Sequence, residues 1–229
     1  MIVLSLDTTS RSGSAAVVDG RRVRCQIAGD ARLTHGERLP GELNRVLERA
    51  GVSPADVDLL AVAAGPGSFT GLRVGIAAMQ GLAMATGRPI VPVSTLEALA
   101  RAAPPDEGRV AAWMDAGRGQ VFAALYGPDG GVVEAPMVGT AAETLEAWGA
   151  VLARGPSIRF IGDGAVRYAD VIRGRVGESA GVLEPPPLAG IIGLIAAERP
   201  DRAVNPHAVE PVYVRRPDAE LARLRRTGR

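Results

Sequence analysis

The chain has 229 residues, 47% of them hydrophobic and 22% charged, the proportions of an ordinary globular protein able to bury one large core or two modest ones. Its formal net charge of +1 excludes a global basic field that would draw it onto nucleic acid or a membrane, so any RNA contact has to be local. All 26 Lys+Arg residues are arginine, which removes Schiff-base lysines, a Walker lysine on phosphates and a desolvated lysine base.

Three short strands open the chain, IVLSLD at 2–7, GSAAVVD at 13–19 and VRCQIA at 23–28, with Asp19 and Gly20 supplying a hairpin turn. Cys25, the one cysteine, cannot make an internal disulfide or, alone, a thiolate metal site; it fits a reducing compartment and reads as a small buried strand residue. Thr34 is placed to cap a helix over 37–50, in which Leu39, Leu43, Val46, Leu47 and Ala50 share a face. Gly51 ends it, and Pro40 requires the helix to begin near there or to kink. A buried strand LLAVAA at 59–64 leads into the loop GPGSFTGLRVG, Gly65 to Gly75. The helical run Leu72 to Thr86 is closed by Gly87, and a strand at 90–93 and a helix opened by Ser94 follow.

The segment APPDEG at 103–108 is the domain boundary, giving a first lobe at 1–102, a second at 103–215 and a basic tail at 216–229. After the boundary the plan recurs. Strands are expected at 109–115, 120–127 and 132–139, then a helix from Thr140 to Ala153, a strand IRFI at 158–161 and the loop GDGA at 162–165. DTTSRSGSAAVVDG (7–20) and DAGRGQVFAALYGPDG (115–130) share an Asp at a strand end, a small-residue turn, an alternating strand and a closing Asp-Gly turn. A duplicated β-β-β-α-β-α unit resembles the two-lobed α/β superfold of actin, sugar kinases and heat-shock ATPases, in which the last helix of the second lobe is expected to pack back on the first. In that superfold an Asp-containing hairpin in each lobe faces a nucleotide.

The loop at 65–75 lies between a buried strand and a helix start, where free N–H groups favour an anion. Gly65 and Gly67 permit close backbone approach, and Ser68 and Thr70 can cap the helix or donate to an oxygen. A tight strand-to-helix turn that only needs its glycines explains the same residues. No GxxxxGK is present. The spacing Gly65, Gly67, Gly71 approaches a dinucleotide loop, but Val93 and Ser94 stand where the ribose-binding acid belongs, and Pro66 blocks a GxSxG elbow through Ser68. Asp7, Thr8, Ser10, Gly65, Gly67, Ser68, Asp115 and Gly162 are the candidates for a nucleotide cleft.

LSLDTTS, AVAAGPGSFTGLRVG, VPVSTLEALA and a late P-x-Y-V-R at Pro211 to Arg215 resemble, in content and order, the TsaB family. Residues 120–200 match by layout only. The resemblance implies a non-catalytic paralogue of TsaD, the enzyme that transfers a threonylcarbamoyl group to an adenosine of tRNA. It also implies pairing with TsaD, an assembly joined by the ATPase TsaE, and tRNA reached only through that complex. The catalytic paralogue holds a metal through two histidines four residues apart. Here the partner positions of His35 are Ala31 and Leu39, and His207 lies in a Pro-flanked segment, so no such clamp, no HExxH and no Ser-His-Asp set can be built, and His35 reads as a solvated residue at a helix start. No cofactor of its own is expected; ATP or ADP with magnesium could sit only at the cleft or the complex interface. The alternative is a stand-alone actin-like ATPase or small-molecule kinase, with a glycoprotease-like hydrolase third.

The helix at 72–86 has only Arg73, Gln80 and Thr86 as polar residues, more apolar than a one-sided surface helix. Arg73, Ala77, Gln80, Gly81 and Met84, with Leu39, Leu43 and Val46 of the preceding helix, are the expected partner face, used for a homodimer alone and for TsaD in the complex. The last 15 residues hold six arginines against two acids, a solvated tail or a further phosphate contact.

Overall fold

The computed structural model describes residues 1–105, 108–153, 157–178 and 180–214. Arg215, the basic tail at 216–229, and Asp106 and Glu107 of the boundary segment lie outside the described residues.

Each half of the chain builds one five-stranded sheet. The first contains β1 (Ile2–Asp7), β2 (Ser14–Asp19), β3 (Arg22–Ala28), β4 (Leu59–Gly65) and β5 (Ile90–Ser94) in the order β3-β2-β1-β4-β5. The second contains β6 (Arg109–Gly117), β7 (Gln120–Tyr126), β8 (Val132–Thr140), β9 (Ile158–Ile161) and β10 (Gly181–Leu183) in the order β10-β9-β6-β7-β8. Replacing each first-half strand by the strand five places later converts one order into the other. In both sheets the first three strands pair antiparallel, as short hairpins allow, and the fourth joins the first in parallel across a helix.

α1 (His35–Ala50) and α2 (Phe69–Thr86) cover the outer face of the first sheet with one apolar cluster, including Leu4, Leu6, Val46, Leu60, Ile76 and Met79. α1 begins before Pro40 and carries it in its second turn. The reason is local: Thr34 accepts from the Glu37 N–H while Glu37 Oε2 accepts from the Thr34 N–H at 2.8 Å, a reciprocal cap that nucleates the turn ahead of the proline. Pro40 forfeits one bond, to the exposed Gly36. Gly51 closes the helix in the left-handed conformation, φ 62°.

On the second sheet the run from 141 divides at Trp148 into α4 (Ala141–Ala147) and α5 (Gly149–Leu152), and α6 (Asp163–Arg167) and α7 (Ala169–Val176) follow β9. Trp148 is 1% exposed and packs edge-on to Trp113 at 6.0 Å, so burying the indole decides where the helix breaks. Between the two sheets lie α3 (Thr95–Arg101) and α8 (Ala189–Glu198), whose Leu96, Leu99, Ile192 and Ile195 meet Val3 and Val91 of the first sheet and Val110 and Met114 of the second. α8 belongs to the second half in sequence but docks on the first sheet: Ser5 Oγ donates to the Ala189 carbonyl at 2.7 Å, and the Ala189 N–H donates to Ser14 Oγ at 3.0 Å. A Cβ on Gly193 would fall 2.6 Å from Val18, so that crossing requires glycine. Cys25 is only partly buried, because β3 is an edge strand and α1 covers it incompletely.

Candidate functional site

The glycine loop begins at Gly65, whose φ of 117° suits a residue without Cβ, and the Gly65–Pro66 bond is cis. Ser68 caps α2 by accepting from the Gly71 N–H at 3.2 Å. Three glycines then seat the helix on the turn after β1. A Cβ on Gly67 would lie 2.5 Å from Thr9 Cβ, one on Gly71 2.0 Å from the Thr8 carbonyl oxygen, and one on Gly75 2.1 Å from Thr8 Oγ1. The Ser68 N–H donates to the Thr9 carbonyl at 2.9 Å.

The space against the loop is therefore filled by the chain's own Thr8 and Thr9, which are 1% and 4% exposed. Of the residues read from sequence as cleft residues, Gly67 and Ser68 meet Thr9, and Thr8 meets Gly71 and Gly75, rather than an open cradle. Asp7 is likewise buried: its Oδ1 accepts from the Thr9 N–H at 2.8 Å and from the Thr9 hydroxyl at 2.6 Å. Burial raises its pKa above the ordinary carboxylate range, against those two hydrogen bonds and the nearby His35 and Arg38.

His35 is not a solvated helix-start residue. Arg38 Nη2 donates to His35 Nδ1 at 2.6 Å, which leaves the proton on Nε2, facing the Ser10 carbonyl at 3.1 Å. Desolvation and then the Arg38 charge hold its pKa below the usual value. Arg38 and Glu42 form a buried ion pair at 2.6 Å, one helical turn apart. Sequence reading passes over this pair, although the helical spacing puts both residues beside Leu39 and Val46. The Ser10 hydroxyl does not reach His35; it accepts from the Gly13 N–H at 3.2 Å.

In the second half Asp115 accepts from the Gly117 N–H at 3.0 Å and is bound by Arg167 Nη1 at 2.6 Å. Asp163 Oδ1 accepts from the Asp115 and Gly164 N–H groups, and burial raises its pKa. Gly162, φ 124°, lies where a Cβ would be 2.0 Å from the Trp113 carbonyl oxygen. Among the described residues no hydrogen bond or ion pair joins the Asp7 group to the Asp115 group, and no group of three or more His, Cys, Asp or Glu could hold a metal. None of the described helices is long and apolar enough to cross a membrane.

The helices divide the candidate partner face. Leu39 and Val46 are 3% and 0% exposed and belong to the core, because the face they share points at β1 and β4. Gln80 Nε2 is turned inward, donating to the Pro206 carbonyl at 2.8 Å and the Val209 carbonyl at 3.2 Å. Arg73, Ala77, Gly81 and Met84 remain as one exposed stripe of α2, with Met84 59% exposed. Leu43 lines a groove of 430 Å³ between α1 and α2, with Pro40, Val74, Ala78 and Leu82 on its sides and Leu4 and Leu60 at its floor.

Sequence reading missed how the late motif is used. The Val212 N–H donates to the Ala64 carbonyl at 2.7 Å, and the Val212 carbonyl lies against Gly65. Tyr213 stacks at 5.4 Å on Phe69, whose ring also carries the Arg73 guanidinium at 4.1 Å, while Arg73 Nε donates to the Tyr213 hydroxyl at 3.2 Å. The two most distinctive segments of the sequence thus clasp each other at the start of α2.

A family model described as TsaD, tRNA N6-adenosine threonylcarbamoyltransferase, matches residues 29–159. The tRNA threonylcarbamoyladenosine biosynthesis protein TsaB of Escherichia coli is 37% identical over 131 residues, 56% of this chain and 56% of the relative. TsaB of Bacillus subtilis is 31% identical over 134 residues, 58% of each. The chain spans about half the length of these curated relatives. An uncharacterized protein of Mycobacterium tuberculosis is 32% identical over 225 residues, 95% of this chain and 93% of its own. A Pseudomonas aeruginosa crystal structure, described as an uncharacterized protein with similarity to peptidase YEAZ, superposes with a TM-score of 0.78 at 29% identity, covering 93% of this chain and 99% of that one. The activator of 2-hydroxyisocaproyl-CoA dehydratase from Clostridium difficile, solved with bound ADPNP, has a TM-score of 0.54 at 11% identity over 88% and 96% of the two chains, which places the fold among two-lobed actin-like proteins.

Proposed function

We propose that this chain, which belongs to the TsaB/YeaZ family, acts in tRNA threonylcarbamoyladenosine biosynthesis as a non-catalytic subunit that binds and supports a TsaD-type transferase. The observation that carries the reading is the outer side of α2. Arg73, Ala77, Gly81 and Met84 form an exposed stripe of small and apolar side chains, bordered on one side by the apolar groove to α1 and on the other by the Phe69–Tyr213–Arg73 stack. Small residues let a partner helix approach closely, methionine adapts to it, and an arginine on an aromatic ring is the kind of residue that anchors interfaces. The same stripe serves a second copy of the chain when the transferase is absent.

Catalysis is assigned to the partner. In this chain Asp7 and Thr9 satisfy each other beneath α2, and His35 meets the main chain of Ser10 rather than its hydroxyl. A TsaE-like ATPase completes the assembly, and tRNA is reached through the complex in the cytoplasm. ATP or ADP with magnesium has its place at the cleft or at the interface with the partners.

Reconstitution tests the proposal. Adding the wild-type chain to the transferase should allow threonylcarbamoyladenosine formation and co-elution on size exclusion. Ala77→Arg, which places a long cation in the middle of the stripe, should abolish both without changing the thermal melt. An unchanged elution profile with Ala77→Arg, or equal product formation with and without the chain, would refute it.

A further inference from the structure

Among the described residues Arg32, Arg101, Arg167 and Arg202 each sit on a carboxylate within 3 Å. One surface differs. Arg21 in the β2–β3 turn, Arg22 at the start of β3 and Arg45 and Arg49 on α1 are all exposed, and none has a carboxylate partner among the described residues. Arg24 joins them and reaches only Asp19, at 3.7 Å. Arg22, Arg24 and Arg49 line one depression of 420 Å³ with Ala50 and Asp19, its single acidic residue. Arg45 stands one turn from Arg49 on the same side of the helix. Glu48, on the neighbouring side of that turn, pairs with neither among the described residues.

The backbone brings these side chains together. β3 is the edge of the first sheet. Its pairing with β2 shifts between Val17 and Val18, whose partners are Cys25 and Val23, so Arg24 is the unpaired residue of a bulge. Bulges re-aim side chains. Charge on an edge strand also discourages edge-to-edge aggregation, which would account for Arg22 and Arg24. It does not account for Arg45 and Arg49, which stand on a helix beside the edge, or for a cluster of nearly one sign in a chain of net charge +1.

We infer that the surface formed by the β2–β3 turn, the bulged edge strand and the last two turns of α1 is an RNA-binding patch that holds phosphate groups through Arg22, Arg24, Arg45 and Arg49. Guanidinium forks suit phosphate oxygens, and Arg22, Arg45 and Arg49, solvated and without a carboxylate partner among the described residues, bind them without first breaking an ion pair. No aromatic or large aliphatic residue lines the depression, where a protein-binding surface of this size would place one at its centre. RNA as the polyanion rests on the proposed role in tRNA modification, and the patch would let this subunit share in gripping the substrate.

The test is RNA affinity across a salt series, by fluorescence anisotropy of labelled tRNA transcript, with the chain alone and in complex with the transferase. The double reversal Arg22→Glu/Arg49→Glu should weaken binding at least tenfold and reduce the slope of log K against log salt by about 1.5, two phosphate contacts at roughly 0.7–0.9 each. Arg173→Glu on α7, a single reversal at an arginine that already faces Asp170 at 3.7 Å, should leave both unchanged. Wild-type affinity and slope in the double variant, or no salt-dependent RNA binding by the wild-type chain in either form, overturns the inference. Stronger binding of polyglutamate that is lost in the double variant while RNA affinity is retained would overturn it in favour of an acidic protein surface. The reading under Proposed function fails separately, on loss of transferase association or of product formation with the wild-type chain.

Discussion

Gly71→Ala isolates the claim that the glycine loop serves close packing of α2. A new Cβ would lie 2.0 Å from the Thr8 carbonyl oxygen and 3.3 Å from His35 Nε2. An ordinary contact begins near 3.4 Å, so either α2 or the turn after β1 has to move by more than an ångström. The turn is held by two hydrogen bonds from Thr9 to a buried Asp7 and by the Ser68 N–H on the Thr9 carbonyl. Overpacking of that kind costs about 1–3 kcal/mol, offset by the roughly 0.5–1 kcal/mol that alanine gains over glycine inside a helix. The net loss should be about 1–2 kcal/mol, at about 2–4 °C of Tm for each kcal/mol in a chain of this size. Gly81→Ala on the same helix is the control, since nothing lies within 4 Å of its Cβ; it should gain the propensity term and raise Tm. Thermal and urea unfolding at a concentration where the chain is monomeric would measure both. If Gly71→Ala stabilises as much as Gly81→Ala, the turn is not seated as described and the loop has room for a ligand.

Arg38→Met should cost about 3–5 kcal/mol by stranding the Glu42 carboxylate, 6% exposed, without a counter-charge, whereas Arg38→Met/Glu42→Leu should recover most of the loss; urea denaturation of the three proteins decides it. The His35 pKa is lowered in the folded chain, so the unfolded chain binds that proton more readily and stability should fall as pH drops through about 6.5, levelling off below the folded value. Asp7, with a raised pKa, acts in the opposite sense: the cost of burying its charge is relieved as pH falls through its folded pKa. His35→Gln should therefore flatten the urea midpoint between pH 7 and 5.5, and an unchanged slope would show that the imidazole is not held neutral. Calorimetric titration of the chain alone with ATP and magnesium should give no binding heat; micromolar binding would require Thr8 and Thr9 to leave the glycine loop.

The elements that alternate or carry caps were legible. β1 to β9 followed from short apolar or alternating runs bounded by turn residues, and Thr34, Ser68, Ser94 and Thr140 cap helices. What escaped lacked such contrast. α8, AGIIGLIAAE, is apolar on nearly every side because it is sandwiched between the sheets, so no amphipathic period marks it. β10 has three residues. At the site, sequence reading makes His35 a solvated residue and passes over the charged pair beside it. Arg38, Glu42 and Asp7 are buried together with partners only a few residues away, Arg38 with Glu42 one helical turn on and Asp7 with Thr9 in the turn after β1, and charge alone does not mark such pairs as buried. Leu39 and Val46 failed the other way, since helical spacing identifies an apolar face without saying what covers it.

The conspicuous glycines mark a packing device that both halves share. In the first half Gly67, Gly71 and Gly75 bring α2 against Thr8 and Thr9; in the second, Gly162 and Gly164 bring α6 against the main chain of Trp113 and Met114. Each loop follows the fourth strand of its sheet and lands on the end of the first, so the geometry is a property of the repeated unit. The halves diverge in what stands on that seat. α6 is a single short turn whose Arg167 is bound to Asp115, and little apolar surface results. α2 runs 18 residues and leaves small and apolar side chains outward beside the groove to α1. A device common to both halves cannot explain an activity particular to one, so the feature that distinguishes this chain is the helix that the loop positions.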